Sequence, residues 1–331
     1  MPIIRNMAKI KLDIKDKRIL DALDRNPNLT LSDLAKRAGI STQVAEYRIK
    51  RLLAQKTIYA FYTMVDPGKL GYTLFRVHIK LKNVTEEMYT TFAQDLFKKY
   101  PSFWVAFVSG SFDIITDIWA QNSNTFEELF REILEKNTEV IESYEISPIL
   151  EIDMYEYGYL LKDNIERSKT ILFRVFPETK IGESDKKILQ EIKANSRLPY
   201  ETTGKKIGLT RNAVKYHIKN LEKLGIIAGY KMMIDFKHFD RLTYKVFIRY
   251  DNSKINQEKQ LLLYLKQIPA ILSTTKLLGK WNLDIEIEPK NAKELQKLII
   301  NLRNKFSIIE DYELIQIIED FGIDFYPEKL M

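Results

Sequence analysis

Two stretches of the chain, STQVAEYRIKRL (residues 41–52) and TRNAVKYHIKNL (residues 210–221), repeat one helical pattern 169 positions apart. On one face of each stretch, apolar residues recur at i, i+4 and i+7, which predicts a stripe packed on a neighbouring helix. The other face carries Arg, Lys, Asn and Gln, the side chains that hydrogen-bond guanine and adenine edges in a major groove. The chemistry these residues offer is base recognition, with an ordinary solvated helix face as the alternative.

The outward-facing residues differ between the two stretches, although the apolar stripe is preserved. In the first stretch they are Thr42, Gln43, Glu46, Tyr47 and Lys50. In the second they are Arg211, Asn212, Lys215, Tyr216 and Lys219. Folding constrains only the packed face, so we interpret the difference as two copies that bind different half-sites.

Residues around each stretch add to the candidate DNA contacts. Ser41 and Thr210 precede the two helices and are suited to cap them. For the cations before the turn, phosphate contact and simple surface solubility are both open: Lys36, Arg37, Lys205 and Lys206. Glu46 repels phosphates unless it accepts a hydrogen bond from a cytosine amino group, so the first copy binds either more selectively or more weakly.

The repetition extends well beyond these two helices. Placing residue n on residue n + 169 aligns DKRIL (16–20) with DKKIL (185–189), and the frame holds without a gap for nearly a hundred residues. Each copy begins with three predicted helices, the first capped by Asp13 or Ser184, the second in copy one beginning at Ser32. A tight turn at Gly39 precedes the third helix, and IYAFYTMVD and IIAGYKMMID then predict the strands of a small wing. We therefore predict winged helix-turn-helix units at residues 9–66 and 183–236.

The second half of each copy changes to the two-residue period of β-strands. In the first copy, the patterns of residues 74–152 predict the order β-α-β-β-α-β, which is the ferredoxin-like plan. We place these domains at residues 70–155 and 240–326, with a linker at 156–182 that holds a candidate strand at ILFRVF. The predicted fold class is α+β, a tandem duplication of winged helix-turn-helix plus ferredoxin-like (βαββαβ) domain.

Positive charge is concentrated in the two helix-turn-helix windows. Residues 9–66 and 178–235 each hold 12 Lys and Arg against 7 Asp and Glu, a net +5 each, so the rest of this +7 chain carries −3. A polyanionic partner explains this distribution better than a general solubility charge does. The sequence has no cysteine and three scattered histidines, so we expect no disulfide, no metal site and no cofactor. It shows neither a signal peptide nor an apolar run of roughly 20 residues, so we expect a cytoplasmic protein without a membrane partner.

Both copies resemble the Lrp/AsnC (feast/famine) family of bacterial and archaeal transcription regulators. The motifs that carry the resemblance are LDIKDKRIL, AGISTQVAEYRIKRL and GSFD (110–113), then SDKKIL, IGLTRNAVKYHIKNLEKLGIIAGY and GKWN (279–282). The resemblance implies a domain that binds double-stranded DNA, followed by a domain that assembles subunits and can bind a small amino-acid effector. It further implies a pseudo-dimer within one chain, and a homo-oligomer formed through the ferredoxin-like domains.

The resemblance also gives Arg48 and the two short glycine motifs their interpretation. Arg48 matches an arginine of the family pattern, for which phosphate contact and support of the helix are both plausible, and His217 replaces it in the second copy. The resemblance places an effector pocket near Gly110, Phe112 and Asp113, with a plain turn whose Asp satisfies backbone amides as the alternative. The matching residues of the second copy lack the charge, which weakens the case for an amino-acid pocket there: Gly279, Trp281 and Asn282.

We predict a sequence-specific DNA-binding transcriptional regulator that is not an enzyme. A low-specificity architectural DNA-binding protein is the first alternative, because it needs the same basic faces without base preference. A second alternative is enzymatic, since sirohaem decarboxylases resemble the same two-part fold. Against the enzyme, the sequence shows no cluster of histidines or nucleophiles, and its basic charge lies in the helix-turn-helix windows.

Overall fold

The computed structural model describes residues 12–161, 167–172, 178–326 and 329 of the 331-residue chain. In chain order its α-helices are α1 (Ile14–Arg25), α2 (Leu31–Ala38), α3 (Thr42–Ala54), α4 (Glu86–Lys99), α5 (Ser123–Lys136), α6 (Glu183–Ile192), α7 (Tyr200–Ile207), α8 (Arg211–Lys223), α9 (Glu258–Gln267) and α10 (Ala292–Lys305). Its β-strands are β1 (Ile58–Val65), β2 (Thr73–Leu81), β3 (Ser102–Ser109), β4 (Ile114–Ala120), β5 (Ile141–Tyr155), β6 (Lys169–Leu172), β7 (Ile227–Ile234), β8 (Thr243–Tyr250), β9 (Ile271–Leu277), β10 (Leu283–Ile287) and β11 (Ile309–Ile323). Short 3₁₀ helices span Pro67–Leu70, Phe236–Phe239 and Asn252–Gln257. The order of elements occurs twice, which confirms the predicted α+β tandem duplication.

The helices of each helix-turn-helix begin and end where the sequence supplies caps. The carboxylate of Asp13 accepts a hydrogen bond from the Asp16 amide at 2.8 Å, and Asp16 accepts one from the Asp13 amide at 3.1 Å. The hydroxyls of Ser41 and Thr210 accept bonds from the first turns of α3 and α8, as predicted. Gly39 ends α2 with a φ of +66°, a left-handed conformation that costs other residues roughly 1–2 kcal/mol.

The prediction that Ser184 caps the first helix of the second copy is wrong. Helix α6 begins at Glu183, and Gly182 is its N-cap because the repeat places Gly182 where the first copy has Asp13. The Asp185 carboxylate still accepts from the Gly182 amide at 3.1 Å, so half of the capping box is retained without a capping side chain. In the first copy, α2 starts one residue before the predicted Ser32, with the hydroxyl of Thr30 as its cap.

The second half of each copy is a four-stranded antiparallel sheet that carries two helices. The strand order is β3-β4-β2-β5 in the first copy and β9-β10-β8-β11 in the second. Helices α4 and α5 bury apolar residues such as Phe92 and Phe130 against the first sheet, and α9 and α10 do the same with Leu261 and Ile299 on the second. This is the predicted βαββαβ plan, with β3 and β4 paired as the expected hairpin.

The two sheets join edge to edge into a closed ring of eight strands. The 15-residue strand β5 pairs with β2 along its first half and with β9 of the other copy along its second half. The equally long β11 pairs first with β8 and then with β3. Since each long strand belongs to both sheets, the copies cannot separate without breaking backbone hydrogen bonds.

The strands predicted as two small wings pair with each other. Strands β1 and β7 run antiparallel, and we call this pair the shared ribbon. Each strand also contacts the first helix of the other copy: the Thr63 amide donates to the Lys193 carbonyl at 3.0 Å, and Lys231 donates to Asp24 at 3.0 Å. The two helix-turn-helix units are therefore held side by side.

A group of charged side chains lies between the two sheets. Arg76 of β2 is 2% exposed, and it donates to both carboxylate oxygens of Asp117, at 2.7 and 2.8 Å, and to Asp284 of the other sheet. Lys245, at the repeat position of Arg76, pairs with Asp284 at 3.2 Å and with Glu286 at 2.9 Å. Burial alone would lower the pKa of Arg76 and of Lys245, but these carboxylates raise the pKa of both cations. We call these five residues the buried charge network.

The segment between the copies, predicted as a linker at 156–182, is described only in part. Tyr157 and Leu160 are buried against the first helix-turn-helix, and the Arg167 guanidinium donates to the Glu156 carbonyl at 2.8 Å. Strand β6 covers the beginning of the candidate strand ILFRVF, whose remaining residues lie outside the described ranges. Within those ranges, no helix is long and apolar enough to cross a membrane.

Candidate nucleic-acid interface

Helices α3 and α8 present the predicted base-contacting faces to solvent. All ten candidate residues on the two faces are exposed, and Tyr47 and Tyr216 are 66% and 70% exposed. The opposite stripes are buried, and they consist of Ala45, Ile49, Leu52, Val214, Ile218 and Leu221. The outward faces of both third helices are therefore accessible to a nucleic-acid duplex without any rearrangement of the protein.

The two faces differ in charge. On α3, the one cation of the outward face, Lys50, pairs with Glu46 one turn earlier at 2.7 Å. On α8, Arg211, Lys215 and Lys219 form no ion pair with any residue in the described part of the chain. The face of α8 is therefore more positive than the face of α3, and a polyanion is attracted to it more strongly.

Arg48 is held by the first helix of its own unit. One guanidinium nitrogen donates to the Asp13 carboxylate at 2.8 and 2.9 Å and to Asp16 at 2.8 Å. In the second copy, Nδ1 of His217 lies 2.7 Å from the Asp185 carboxylate, which is the repeat position of the Arg48–Asp16 contact. Of the two roles open to Arg48, this geometry favours support of the helix.

Substitutions at Arg48 separate the two roles. We expect Arg48→Ala to lower the free energy of unfolding by about 1–2 kcal/mol, because Asp16 keeps its bond from Arg51 but loses the one from Arg48. Arg48→His, which adopts the residue of the second copy, should recover most of that loss. Neither variant should change the slope of log affinity for DNA against log salt concentration, measured by fluorescence anisotropy. A loss of about one unit of slope in both variants would instead identify a phosphate contact.

The cations before the turns lie in the last turns of α2 and α7 and are exposed: Lys36, Arg37, Lys205 and Lys206. Lys205 pairs with Glu201 at 2.7 Å, and Lys206 pairs with Glu191 at 2.6 Å. Exposed pairs of this kind are weak and exchange readily with other anions. Phosphate contact by these four residues stays a prediction.

Asp113 and Asn282 have the same structural role in the two copies. The Asp113 carboxylate accepts a hydrogen bond from the Leu81 amide at 2.8 Å, and the Asn282 side-chain oxygen accepts one from the Tyr250 amide at 2.8 Å. Leu81 and Tyr250 occupy the same repeat position at the end of β2 and β8. A neutral acceptor serves as well as a carboxylate there, which favours the turn alternative over a charge-dependent amino-acid pocket.

The other effector candidates lie where the two copies meet. Phe112 and Trp281 are 7% and 4% exposed and pack into the apolar core that both copies build. Gly110 and Gly279 have φ values of +151° and +141°, and they approach β11 and β5, the long strands of the opposite copy. An effector role for these residues remains a prediction.

The acidic partners of the third helices and the buried charge network were not predicted from the sequence. Asp16 and Asp185 are the aspartates of the aligned motifs DKRIL and DKKIL, so their shared position was visible in the repeat. Arg76 and Lys245 are cations at one repeat position of two otherwise apolar strands, a pattern that indicates an inward-facing charge. Neither signal names the partner across the fold, because that partner is distant in sequence.

A model of the winged helix-turn-helix DNA-binding family matches residues 12–58 and 182–228. An HTH-type transcriptional regulator of Pyrococcus abyssi is 30% identical to this chain over 118 residues, which cover 35% of this chain and 79% of that regulator. The chain belongs to the HTH-type transcriptional regulators. Because the family model matches twice and the relative spans about a third of the chain, this regulator consists of two tandem copies.

A solved structure shares the fold of this chain over nearly its whole length. The sirohaem decarboxylase NirDL has a TM-score of 0.64 at 14% identity, and the alignment covers 96% of each chain. An identity this low establishes the common fold alone. The structure of E. coli AsnC has a TM-score of 0.39 at 17% identity and covers 44% of this chain and 97% of its own.

Proposed function

We propose that the protein is a sequence-specific DNA-binding regulator of transcription with two non-identical recognition helices in one pseudo-dimeric chain. The observation that carries this proposal is that α3 and α8 keep one buried stripe and expose two different polar faces. The matches to winged helix-turn-helix DNA-binding domains support double-stranded DNA as the partner. The concentration of positive charge in the same two windows supports it independently.

The shared ribbon supports simultaneous binding of both units to one duplex. Its strands pair from Ile58 opposite Ile234 to Val65 opposite Ile227, so neither unit moves without the other. Two half-sites on one side of B-DNA would lie about one helical turn apart, roughly 34–36 Å, or a multiple of that spacing. Since the two exposed faces differ, the site should be an imperfect palindrome.

A comparison of three duplexes tests the proposal. Selection of bound DNA from a random pool would define the two half-sites, and affinities would then be measured for the mixed site and for each half-site duplicated as a perfect palindrome. We expect the mixed site to bind at least about tenfold more tightly than either palindrome, a difference of about 1.4 kcal/mol. If both palindromes bind more tightly than the mixed site, the two helices do not have separate preferences.

Competition with unrelated DNA separates the regulator from a low-specificity architectural protein. A specific regulator holds its site roughly 10³–10⁷ times more tightly than other sequences at physiological salt. An architectural protein would be displaced equally by any duplex of the same length. Affinity for both kinds of DNA should fall with salt through counterion release, so the ratio of affinities is the informative quantity.

Three further features belong to the same proposal. An amino-acid effector would bind near the hairpins that contain Asp113 or Asn282, and repeating the DNA selection with and without amino acids tests for it. A homo-oligomer would assemble through the ferredoxin-like domains, where Leu278 and Tyr144 expose 60% and 44% of their surface. A regulator of this kind acts where the chromosome is, which in a bacterium or archaeon is the cytoplasm.

We propose that the protein is not an enzyme, although its fold matches that of a sirohaem decarboxylase over 96% of each chain. The regulator relatives support this. The environment of His78 supports it too, because the centroid of its ring lies 5.0 Å from that of Phe112 and 4.9 Å from that of Phe247. Burial and the nearby charge of Arg76 lower the pKa of His78 to about 3, so it stays neutral and is 1% exposed. Conversion of sirohaem by the purified protein, followed by its absorbance spectrum, would contradict this.

A further inference from the structure

A cavity of about 460 Å³ lies between the shared ribbon and one end of the eight-stranded ring. Its walls include Tyr59 and Tyr62 from β1, Glu286 from β10 and Asp320 from β11, together with Glu288 just after β10. We call it the ribbon cavity. Its volume is typical of a small-molecule site, and its position is distinct from the DNA-facing helices and from the two glycine hairpins.

The equivalent space in the first copy is filled with apolar side chains. The repeat positions of Glu288, Thr243 and Asp320 hold Trp119, Leu74 and Ile152. These three apolar residues are 0%, 0% and 5% exposed and belong to one continuous core. The fold can therefore close this space by ordinary packing, and the second copy instead has polar groups around an open volume.

Two polar side chains in the lining are buried, one without a hydrogen-bond partner and one without an ion pair in the described part of the chain. Thr243 is 4% exposed, and its hydroxyl finds no hydrogen-bond partner among the described residues. Glu288 is also 4% exposed; its carboxylate accepts a hydrogen bond from Tyr159 and forms no ion pair within the described ranges. The cations Arg241 and Lys231 lie near Glu288 without forming an ion pair with it, and a buried carboxylate that is not paired is costly. A ligand with positively charged N–H donors would satisfy it.

The lining as a whole is acidic. It contains five carboxylates, Asp235, Glu286, Glu288, Glu319 and Asp320, against two exposed lysines, Lys56 and Lys237. Three tyrosine rings complete the walls, and they belong to Tyr59, Tyr62 and Tyr157. Carboxylates attract a cation by charge, and aromatic faces attract ammonium groups and cover methylene chains.

The spacing of the carboxylates distinguishes an organic cation from a metal ion. Nowhere in the described ranges do three or more His, Asp or Glu side chains converge closely enough to hold a metal. Acids without such convergence, in a lining that also holds tyrosines, suit the ammonium groups of an organic chain. We propose that the ribbon cavity binds an aliphatic diamine or polyamine, with Glu286, Glu288 and Asp320 accepting its ammonium groups. This site is independent of the proposed DNA contacts.

The protonation of the acids supports this chemistry. Burial raises the pKa of Glu288 to about 8, where it faces Glu286, Arg241 and Lys231. Asp320 is an exposed residue, but local desolvation of its carboxylate and the like charge of Glu286 raise its pKa as well; the carboxylate accepts from the Trp104 indole and also faces Lys245. A polyamine binds the ionised carboxylates, so its affinity should rise as pH rises from about 6 to about 9, while its amines stay protonated.

Calorimetric titration of the full-length, DNA-free protein tests the proposal. Spermidine and putrescine should bind at one saturable site with a Kd below about 1 mM. Glu288→Gln and Asp320→Asn should each weaken binding at least about tenfold. Thr243→Leu installs the residue of the first copy, so it should fold normally and weaken binding by narrowing the cavity. Lysine, which adds a carboxylate, should bind at least about tenfold more weakly than putrescine.

Glu151→Gln is the matched control, because Glu151 has the repeat position of Glu319 on the side where the space is filled. It should leave spermidine affinity unchanged. The proposal fails if folded wild-type protein binds no spermidine at about 10 mM, a concentration far above the expected Kd. It also fails if Mg²⁺ binds the same site as tightly, or if the control weakens binding as much as Glu288→Gln. Because no DNA is present, none of these outcomes depends on the proposed regulatory function.

Discussion

Replacing Arg76 by methionine is expected to lower the free energy of unfolding by roughly 3–5 kcal/mol, the cost of breaking a buried ion pair by removing one partner. The guanidinium is 2% exposed and bonds to Asp117 and Asp284, each 1% exposed, on two different sheets. Methionine fills a similar volume but leaves Asp117 without its cation. Lys245 can still pair with Asp284, so the effect should centre on the first sheet.

Urea unfolding monitored by tryptophan fluorescence measures this effect. The exposed Arg131, which pairs with Glu127 on α5, provides the control, and Arg131→Met should not change stability measurably. The double variant Arg76→Met/Asp117→Leu should recover part of the loss, because it removes the unpaired charge as well. A loss below about 1 kcal/mol for Arg76→Met would show that solvent already reaches the buried charge network.

Replacing Arg211, Lys215 and Lys219 by alanine is expected to weaken DNA binding about a hundredfold or more at 0.1 M salt. Each cation that neutralises a phosphate contributes about 0.9 to the slope of log affinity against log salt, so the triple variant should lose up to about three units of slope. The three side chains are exposed and form no ion pair in the described structure, which leaves them available to DNA. Folding should be unaffected, since the buried stripe of α8 is untouched.

The matched control removes three exposed lysines near the start of α10: Lys290, Lys293 and Lys297. This control should retain nearly the full slope, because these lysines lie in the second ferredoxin-like domain. Equal losses in both triple variants would mean that binding depends on total charge and not on α8. Lys50→Ala should have a smaller effect than any single change on α8, since Glu46 already neutralises Lys50.

Much of the fold follows from the sequence, because its determinants are local. Helix caps such as Ser41 and Thr210, and the alternation of apolar residues in β2 and β8, act within a few residues of themselves. The pairing of β1 with β7 could not be predicted in this way, since a two-residue period shows that a strand exists and not which strand lies beside it. For the same reason, the sequence does not show that β5 and β11 each pair with strands of both sheets.

The candidate DNA interface was easier to predict than the ribbon cavity. Recognition residues on α3 and α8 appear as positions that vary between copies on an otherwise preserved helix. The cavity has a similar signature, since Glu288 replaces Trp119 and Thr243 replaces Leu74. Those differences become informative only when the packing of the first copy shows what the second copy omits. Arg48 was open between two roles because the sequence does not show that Asp13 and Asp16 lie within its reach.

Asp284 bonds to Arg76 across the sheets, whereas its counterpart in the first copy is the apolar Ile115. A dimer of identical subunits carries every mutation at both symmetry-related positions. It therefore cannot have an acidic residue at one of these positions and an apolar residue at the other. Joining both halves in one polypeptide removes that constraint. Mutations can then change one half alone, and the two halves of the molecule can become chemically different.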